Sequence, residues 1–109
     1  MRPKIKVWVS FSDELKFGDG RARLLELIDQ RGSLRRAAAE FEMSYRNAWG
    51  YLRELERSAG FKFVERTSRG RQSGMRLTKE GKRFLDRYWR FRCGLDDTVK
   101  RRFDRVFRL

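Results

Sequence analysis

The chain has 109 residues and a formal net charge of +13, with 28 lysine and arginine residues against 15 aspartate and glutamate residues. This length fits one small domain, and the charge favours binding to polyanions. The absence of histidine excludes histidine-based catalysis and histidine zinc sites, and a single cysteine excludes an intrachain disulfide. No apolar run approaches the ~18 residues of a membrane span and no signal peptide precedes the first predicted strand, so we expect a cytoplasmic, nucleoid-associated protein without membrane contact.

The first half of the chain predicts one strand followed by three helices. Residues 4–11 alternate between apolar and polar side chains, which is the pattern of a half-buried strand. Three helical segments follow, each with a polar residue at its start and a breaking residue or turn at its end. The first is predicted to start after Asp19 and end at Gly32, the second to start after Ser33 and end at the turn at Glu42, and the third to start after Ser44 and end at Gly60.

The second half predicts a β-hairpin and a long helical region. Residues 61–66 and 75–78 have the pattern of short strands on either side of a polar, basic tip at 67–74. After Thr78, which caps the next helix, apolar residues recur at steps of three and four. The sequence leaves open whether this helix continues through Gly94. The apolar stripe consists of Phe84, Tyr88, Phe91, Leu95, Val99, Phe103 and Val106.

This order of elements is that of a winged helix-turn-helix. We therefore predict a mainly α fold with a small β-sheet. A winged helix-turn-helix DNA-binding domain with an N-terminal strand is expected over residues 1–78, and a C-terminal helical region over 79–109. A lone domain of this size has difficulty covering so many large apolar side chains after the wing, so we predict that the apolar stripe forms a dimer interface.

The third helix carries an outward face that suits the major groove of DNA. At about 100° per residue, its core face consists of Tyr45, Ala48, Trp49, Leu52, Leu55 and Ala59, and its outer face of Arg46, Asn47, Gly50, Arg53, Glu54 and Arg57. Arginine can donate two hydrogen bonds to guanine, and asparagine can pair with adenine. We predict that Arg46 and Asn47 read bases, because the first turns of a recognition helix usually meet them, and that Ser44 and Tyr45 contact phosphate or sugar.

Basic residues are concentrated in the segment that would face DNA. Residues 44–83 contain eleven basic and four acidic residues, and no acidic residue lies between Thr67 and Lys79. Neutralising phosphates releases counterions, so such a surface binds DNA with strong salt dependence. On the second helix, Arg35 and Arg36 are predicted phosphate contacts, although simple exposure explains them equally well. The wing residues Arg66, Arg69, Arg71 and Arg76 are predicted to contact the backbone or the minor groove.

Several stretches of the sequence resemble the DNA-binding domain of the molybdate-dependent transcriptional regulators, the ModE family. They are residues 20–28, 32–39 and 43–49, and the wing residues 64–67 and 77–81 are also similar to the LysR-type regulators. The resemblance covers about residues 4–92. It implies DNA contacts from Ser44, Tyr45, Arg46 and Asn47 and from the wing around Arg69 and Arg71. It also implies a homodimer whose helices pair from Lys79 onward.

Two departures from the family pattern change what the resemblance implies. Members of the family often have glycine at the turn position of Glu42, which predicts a slightly different turn geometry here. Full-length members also carry a C-terminal oxyanion-binding domain, which has no counterpart in these 109 residues. No effector is therefore implied, molybdate is not expected to be one, and we expect no cofactor or metal.

The sequence thus predicts a sequence-specific transcriptional regulator that binds double-stranded DNA as a homodimer and is not an enzyme. An architectural, chromatin-like DNA-binding protein with low sequence specificity is the alternative that the charge and small size permit. A protein-interaction module is a third reading, which the clustered charge argues against. Enzyme chemistry is disfavoured because the carboxylates are scattered among more numerous arginines, and no pair indicates an acid–base site.

Overall fold

A helix-turn-helix and a two-stranded wing surround the first helix of the chain. The computed structural model describes residues 1–12, 15–69 and 72–108, without the side chains of 68, 69, 72 and 73. Within these ranges the elements are β1 (Val9–Ser10), β2 (Lys16–Phe17), α1 (Asp19–Arg31), α2 (Leu34–Glu40), α3 (Tyr45–Ala59), β3 (Val64–Arg69), β4 (Gln72–Leu77), α4 (Lys79–Arg92) and α5 (Leu95–Phe107). This order confirms the predicted fold class, with β1–β2 and β3–β4 forming two small antiparallel sheets.

Serine and threonine hydroxyls cap three of these helices, as the sequence predicts. The hydroxyls of Ser33, Ser44 and Thr78 accept hydrogen bonds from the backbone N–H groups of Arg36, Asn47 and Gly81, at 3.2, 3.0 and 3.0 Å. Gly32 and Gly60 end α1 and α3 in the left-handed conformation, with φ of 67° and 81°. Local sequence signals therefore determine where the helices of the helix-turn-helix begin and end.

The N-terminal strand is shorter than the alternation of residues 4–11 predicts. β1 contains two residues because its antiparallel partner β2 contains two, with Val9 opposite Phe17. The alternation still describes exposure correctly, since Ile5 and Val7 are half-buried while Lys4 and Lys6 are exposed. The pattern predicts which side chains face the protein, but a hydrogen-bonded strand also requires a neighbour of matching length.

The prediction that Asp19 caps α1 is wrong. Asp19 lies inside the first turn of α1, and the residue at the cap position is Gly18, without a side-chain hydrogen bond. The Asp19 carboxylate instead accepts hydrogen bonds from the Tyr88 hydroxyl and from Nε of Arg92, and so joins α1 to α4. A charged partner and a buried phenol are stronger donors than the free N–H groups of its own helix.

The core also covers part of the apolar stripe that the sequence assigns to a dimer interface. The Phe84 ring packs against the rings of Phe11, Phe17 and Phe63, with centroid separations of 5.3, 4.9 and 5.3 Å. Tyr88 is only 2% exposed. The argument that Phe84 and Tyr88 need a partner chain is therefore wrong, because the N-terminal segment and the start of the wing cover them.

The helical region after the wing breaks at Gly94, which adopts a φ of 80°. α4 ends at Arg92 and α5 begins at Leu95. None of the described residues of α5 is buried. The molecule is accordingly elongated, with principal extents of 63, 27 and 22 Å.

The wing strands differ from the prediction, since β3 lies three residues later along the chain and β4 begins three residues earlier. The hairpin pairs Val64 with Leu77 at its base and continues to the pair Arg69 and Gln72. The predicted strands at 61–66 and 75–78 therefore begin and end at the wrong residues. The prediction followed the apolar residues, whereas an antiparallel ribbon exposed to solvent can continue through polar residues as long as its backbone groups pair.

Candidate nucleic-acid interface

The turn between α2 and α3 sets the position of the third helix. Ala37 and Ala38 of α2 are buried, and their small side chains allow close packing. The turn closes through a hydrogen bond from the Met43 N–H to the Ala38 carbonyl, at 3.0 Å. Glu42 adopts a left-handed φ of 54°. Glu42 thus takes a conformation that glycine adopts more readily than other residues, and the predicted difference in turn geometry from the family stays a prediction.

The outer face of α3 is exposed as predicted. Arg46, Asn47, Gly50, Arg53, Glu54 and Arg57 are all exposed, while Ala48, Tyr51, Leu52 and Leu55 are buried. A Cβ atom on Gly50 would meet no other atom within 4 Å, so the backbone there is open to an approaching surface. The predicted base-reading residues therefore stand on one accessible face at the start of a helix.

Tyr45 lies on the surface rather than on the core face that the periodicity predicts. Its side chain is 38% exposed, and the Arg35 guanidinium stands over its ring at 4.4 Å from the centroid. Tyr45 is the first residue of α3, where the helix has passed the edge of the core. Ser44 precedes it and is also exposed. Both residues therefore remain accessible to a ligand on the outer face.

The predicted contact residues on α2, α3 and β3 carry uncompensated positive charge. In the described part of the chain, ion pairs join carboxylates to Arg23, Arg31, Arg76, Arg92 and Lys100. No described carboxylate pairs with Arg35, Arg36, Arg46, Arg53, Arg57 or Arg66. The face formed by these six arginines is thus strongly cationic, which favours an anionic ligand.

The other three predicted wing contacts are less informative. Arg76 forms an ion pair with Glu65 across the hairpin, at 2.9 Å, so its charge is partly compensated. The backbone of Arg69 belongs to β3, but its side chain is not described. Arg71 lies outside the described residues. The predicted contacts from Arg69 and Arg71 therefore stay predictions.

Buried polar contacts, which the sequence does not reveal, fix the base of the wing on the helices. Oε2 of Glu56 accepts hydrogen bonds from the N–H groups of Phe63 and Val64, at 2.7 and 3.3 Å. Oδ1 of Asp29 accepts one from the N–H of Leu77, at 3.0 Å. The only sequence signal for Glu56 is its place four residues after Leu52, on the inward side of α3. We call the backbone segments at 62–64 and 75–78 the wing root.

Glycine allows the wing root to approach the helices closely. The Met75 N–H donates to the Gly32 carbonyl at 2.9 Å. A Cβ atom on Gly74 would lie 3.0 Å from that carbonyl oxygen, and one on Gly81 would lie 2.4 Å from the carbonyl oxygen of Phe63. A side chain at Gly74 would push the wing away from the end of α1, and one at Gly81, in α4, would push Phe63 of the wing root away from α4.

A cleft of about 280 Å³ separates α3 from the wing. It is lined by Ser33, Leu34, Arg35, Tyr45, Trp49, Arg66, Gly74 and Met75. The sequence places Trp49 on the core face of α3, but the residue is only half-buried, so part of its side chain remains exposed. The cleft opens beside the arginines of the cationic face.

The rest of the predicted dimer stripe lies at the surface. Phe91 is 51% exposed and Val106 is 67% exposed. Leu95, Val99 and Phe103 of α5 are half-buried.

In the part of the chain that the structure describes, no helix has the length and apolar character needed to cross a membrane.

These elements define the chain as a DNA-binding protein of the winged helix-turn-helix class. The solved DNA-binding domain of BenM, in a complex with catB site 1 DNA, has a similar fold, with a TM-score of 0.58 and 20% sequence identity. The similarity covers 81% of this chain and 92% of that one. Residues 20–82 match the model of the bacterial regulatory helix-turn-helix proteins of the LysR family, and the chain belongs to this family.

Two curated relatives are named as ModE proteins. The chain is 39% identical over 71 residues to the molybdenum transport protein ModE of Azotobacter vinelandii, across 64% of this chain and 26% of that protein. It is 30% identical over 86 residues to the transcriptional regulator ModE of Haemophilus influenzae, across 78% of this chain and 34% of that protein. The chain thus spans about a quarter to a third of the length of these relatives. The similarities confirm the resemblance to both families.

Proposed function

We propose that the chain regulates transcription as a homodimer that reads a two-fold symmetric site in double-stranded DNA. α3 enters the major groove, where Arg46 and Asn47 contact base edges and Gly50 lets the backbone approach. The observation that carries this proposal is the cationic face, whose six arginines have no carboxylate partner among the described residues. Two recognition helices of a dimer would enter successive major grooves about 34 Å apart.

The remaining contacts in the proposal are to the DNA backbone. Arg35 and Arg36 from α2, Arg53 and Arg57 from α3, and Arg66 from β3 neutralise phosphates, with Ser44 and Tyr45 as further phosphate or sugar contacts. The wing residues Arg69, Arg71 and Arg76 extend this track along the backbone or into the minor groove. Such contacts fix orientation and affinity, whereas base contacts supply the sequence preference.

The second chain of the dimer is proposed to cover the exposed apolar face of α5. Leu95, Val99 and Phe103 follow one another at steps of four, so they share one side of the helix. Two acidic residues, Asp96 and Asp97, occupy the first turn of α5. The second half of the helix is net basic, with Lys100, Arg101, Arg102 and Arg105 against Asp104. Antiparallel pairing of two copies would place the acidic end of each helix against the basic end of the other.

Selection of bound sequences from a random duplex pool at about 150 mM salt tests sequence reading, because non-specific attraction is reduced at that concentration. We expect an enriched motif with two-fold symmetry. Binding without any enriched motif would refute sequence reading and support the architectural alternative.

Variants then separate base contacts from phosphate contacts. Arg46→Ala should lose about 1–3 kcal/mol on the selected site and little on random DNA, while Arg36→Ala should weaken both similarly. Arg87→Ala removes an exposed charge from α4, outside the proposed interface, and serves as the control. Equal losses on selected and random DNA for Arg46→Ala would contradict base reading.

The oligomeric state is tested separately by sedimentation of the Phe103→Glu variant. We expect a monomer with the far-ultraviolet spectrum of a folded core, because the side chain belongs to α5 and not to the packed core. Arg87→Ala, which lies outside the proposed interface, should remain a dimer. A Phe103→Glu protein with unchanged mass would contradict pairing through α5.

A further inference from the structure

Two aromatic rings on α3 stand beside three guanidinium groups from three different elements. The rings of Tyr45 and Trp49 are in edge-to-face contact, with centroids 6.3 Å apart. The Arg35 guanidinium of α2 lies 4.4 Å from the Tyr45 centroid. The guanidinium groups of Arg53 on α3 and Arg66 on β3 lie 6.0 and 5.9 Å from the Trp49 centroid. Cations at these distances are attracted by the ring faces, which limits the directions they can take.

The three guanidinium groups repel one another, and no described carboxylate forms an ion pair with any of them. Arginine clusters of this kind are stabilised when an anion binds between them. The rings and two of the guanidinium groups, those of Arg35 and Arg66, line the cleft between α3 and the wing. An anion in this cleft would therefore be held by α2, α3 and β3 together.

We propose that the cleft binds one backbone phosphate group of duplex DNA, and that Trp49 is a positioning residue which orients Arg53 and Arg66 towards it. This inference rests on the proposed DNA-binding function. Planar guanidinium groups match the geometry of phosphate oxygens, and the proposed base contacts lie elsewhere, at Arg46 and Asn47. Trp49 is only half-buried, while its neighbours Ala48 and Leu52 are fully enclosed, so part of the ring is left to face the cleft.

A phosphate held in this way fixes how α3 sits along the groove. Arg35 and Arg66, which line the cleft, belong to α2 and β3, and these elements meet only in the folded protein, so the phosphate would contact the helix-turn-helix and the wing at once. Loss of the Trp49 ring would leave the charges in place but would free their directions. Trp49 also packs against the core, so its effect on DNA binding is compared only between variants whose far-ultraviolet spectra show a folded chain.

The first test compares Trp49→Phe and Trp49→Leu in the full chain, using a duplex of the selected sequence and titrating salt. Phenylalanine keeps a ring face, whereas leucine keeps only apolar volume. We expect Trp49→Leu to bind about 3- to 30-fold more weakly, the range of cation–π stabilisation. Its plot of log affinity against log salt should be shallower by about one phosphate, as for Arg66→Ala. Trp49→Phe should stay close to the wild type in both measurements.

A second test leaves the protein fold untouched. Single methylphosphonate linkages, which are uncharged, are placed in turn along the selected duplex. We expect that one methylphosphonate linkage in each half-site lowers the affinity of the wild type for the duplex. The same linkage should not lower the affinities of Arg66→Ala and Trp49→Leu any further, because these variants have already lost the contact. A variant that fails to fold is excluded from this comparison, and Arg35→Ala and Arg66→Ala carry it instead.

The outcomes separate this inference from the function on which it rests. A Trp49→Leu protein with an unchanged salt slope, or no linkage that couples to Arg66, would overturn the inference while leaving sequence reading intact. Duplex binding without an enriched motif would refute the proposed sequence reading. The phosphate contact would then be tested by the salt slopes on random duplex, and lower slopes for Trp49→Leu and Arg66→Ala would still support it. A wild-type chain that binds no duplex DNA would overturn both.

Discussion

The Tyr51→Phe substitution should stabilise the protein. Tyr51 is 9% exposed, and its hydroxyl has no hydrogen-bond partner among the described residues. A buried polar group without a partner costs about 1–3 kcal/mol, and phenylalanine removes the hydroxyl while keeping the ring. The Arg21 guanidinium, 4.2 Å from the ring centroid, can stack on either side chain. We therefore expect a gain of about 1 kcal/mol in the free energy of unfolding.

Urea unfolding measures this gain directly. With a slope of about 1–2 kcal/mol per molar urea for a chain of this size, the midpoint should rise by about 0.5–1 M without a change in slope. Tyr45→Phe is the matched control, because the Tyr45 side chain is exposed and its loss should change stability by less than about 0.5 kcal/mol. A lower midpoint for Tyr51→Phe would show that the hydroxyl has a stabilising partner, and would refute the reasoning.

The same variant has a pH signature. Burial raises the pKa of the Tyr51 phenol above its usual range, so the folded protein keeps this proton while the unfolded chain loses it near pH 10. The free energy of unfolding of the wild type is therefore unaffected by this titration below about pH 10, and it falls as the pH rises further, because only the unfolded chain loses the proton. The advantage of Tyr51→Phe over the wild type should therefore widen above pH 10. An advantage that stays constant up to pH 11 would contradict the assignment.

Three further substitutions test the turn and the wing root. Glu42→Gly should stabilise the protein by about 0.5–1 kcal/mol, because glycine relieves the left-handed strain but adds freedom to the unfolded chain. A lower melting temperature would show that the Glu42 side chain makes a stabilising contact. Glu56→Ala should lower the free energy of unfolding by about 2–3 kcal/mol, since two wing-root N–H groups lose a charged acceptor. Glu56→Gln should lower it by less. Equal urea midpoints for Glu56→Ala and the wild type would refute this. Gly81→Ala should destabilise by at least about 2 kcal/mol and speed amide exchange at the wing root, whereas Gly20→Ala, where a Cβ atom meets nothing within 4 Å, should not.

The sequence predicts best where structure depends on neighbouring residues. The caps at Ser33, Ser44 and Thr78 need only the next turn of helix, and all three are correct. The outer face of α3 also follows from helical periodicity alone. These two kinds of local signal predict the helices of the helix-turn-helix and the residues that the outer face of α3 exposes.

The sequence fails where contacts join distant parts of the chain. Periodicity places Phe84 and Tyr88 on the same stripe as Val99, but it cannot show that Phe17 and Phe63 already cover them. Nothing in the local sequence reveals that Glu56 binds the wing root. Tyr45 departs from its predicted face for a related reason, since the edge of the core is set by packing among helices rather than by helical period.

The polar contacts at the wing root also affect the entropy of association. Glu56, Asp29 and the carbonyl of Gly32 hold the backbone N–H groups of Phe63, Leu77 and Met75 to the helices. Fixing one backbone residue costs about 1–2 kcal/mol at 25 °C, and at these positions that freedom is lost when the chain folds, before any DNA arrives. The base of the wing is therefore pre-organised, and the phosphate contacts proposed for the wing would not be weakened by an ordering cost there.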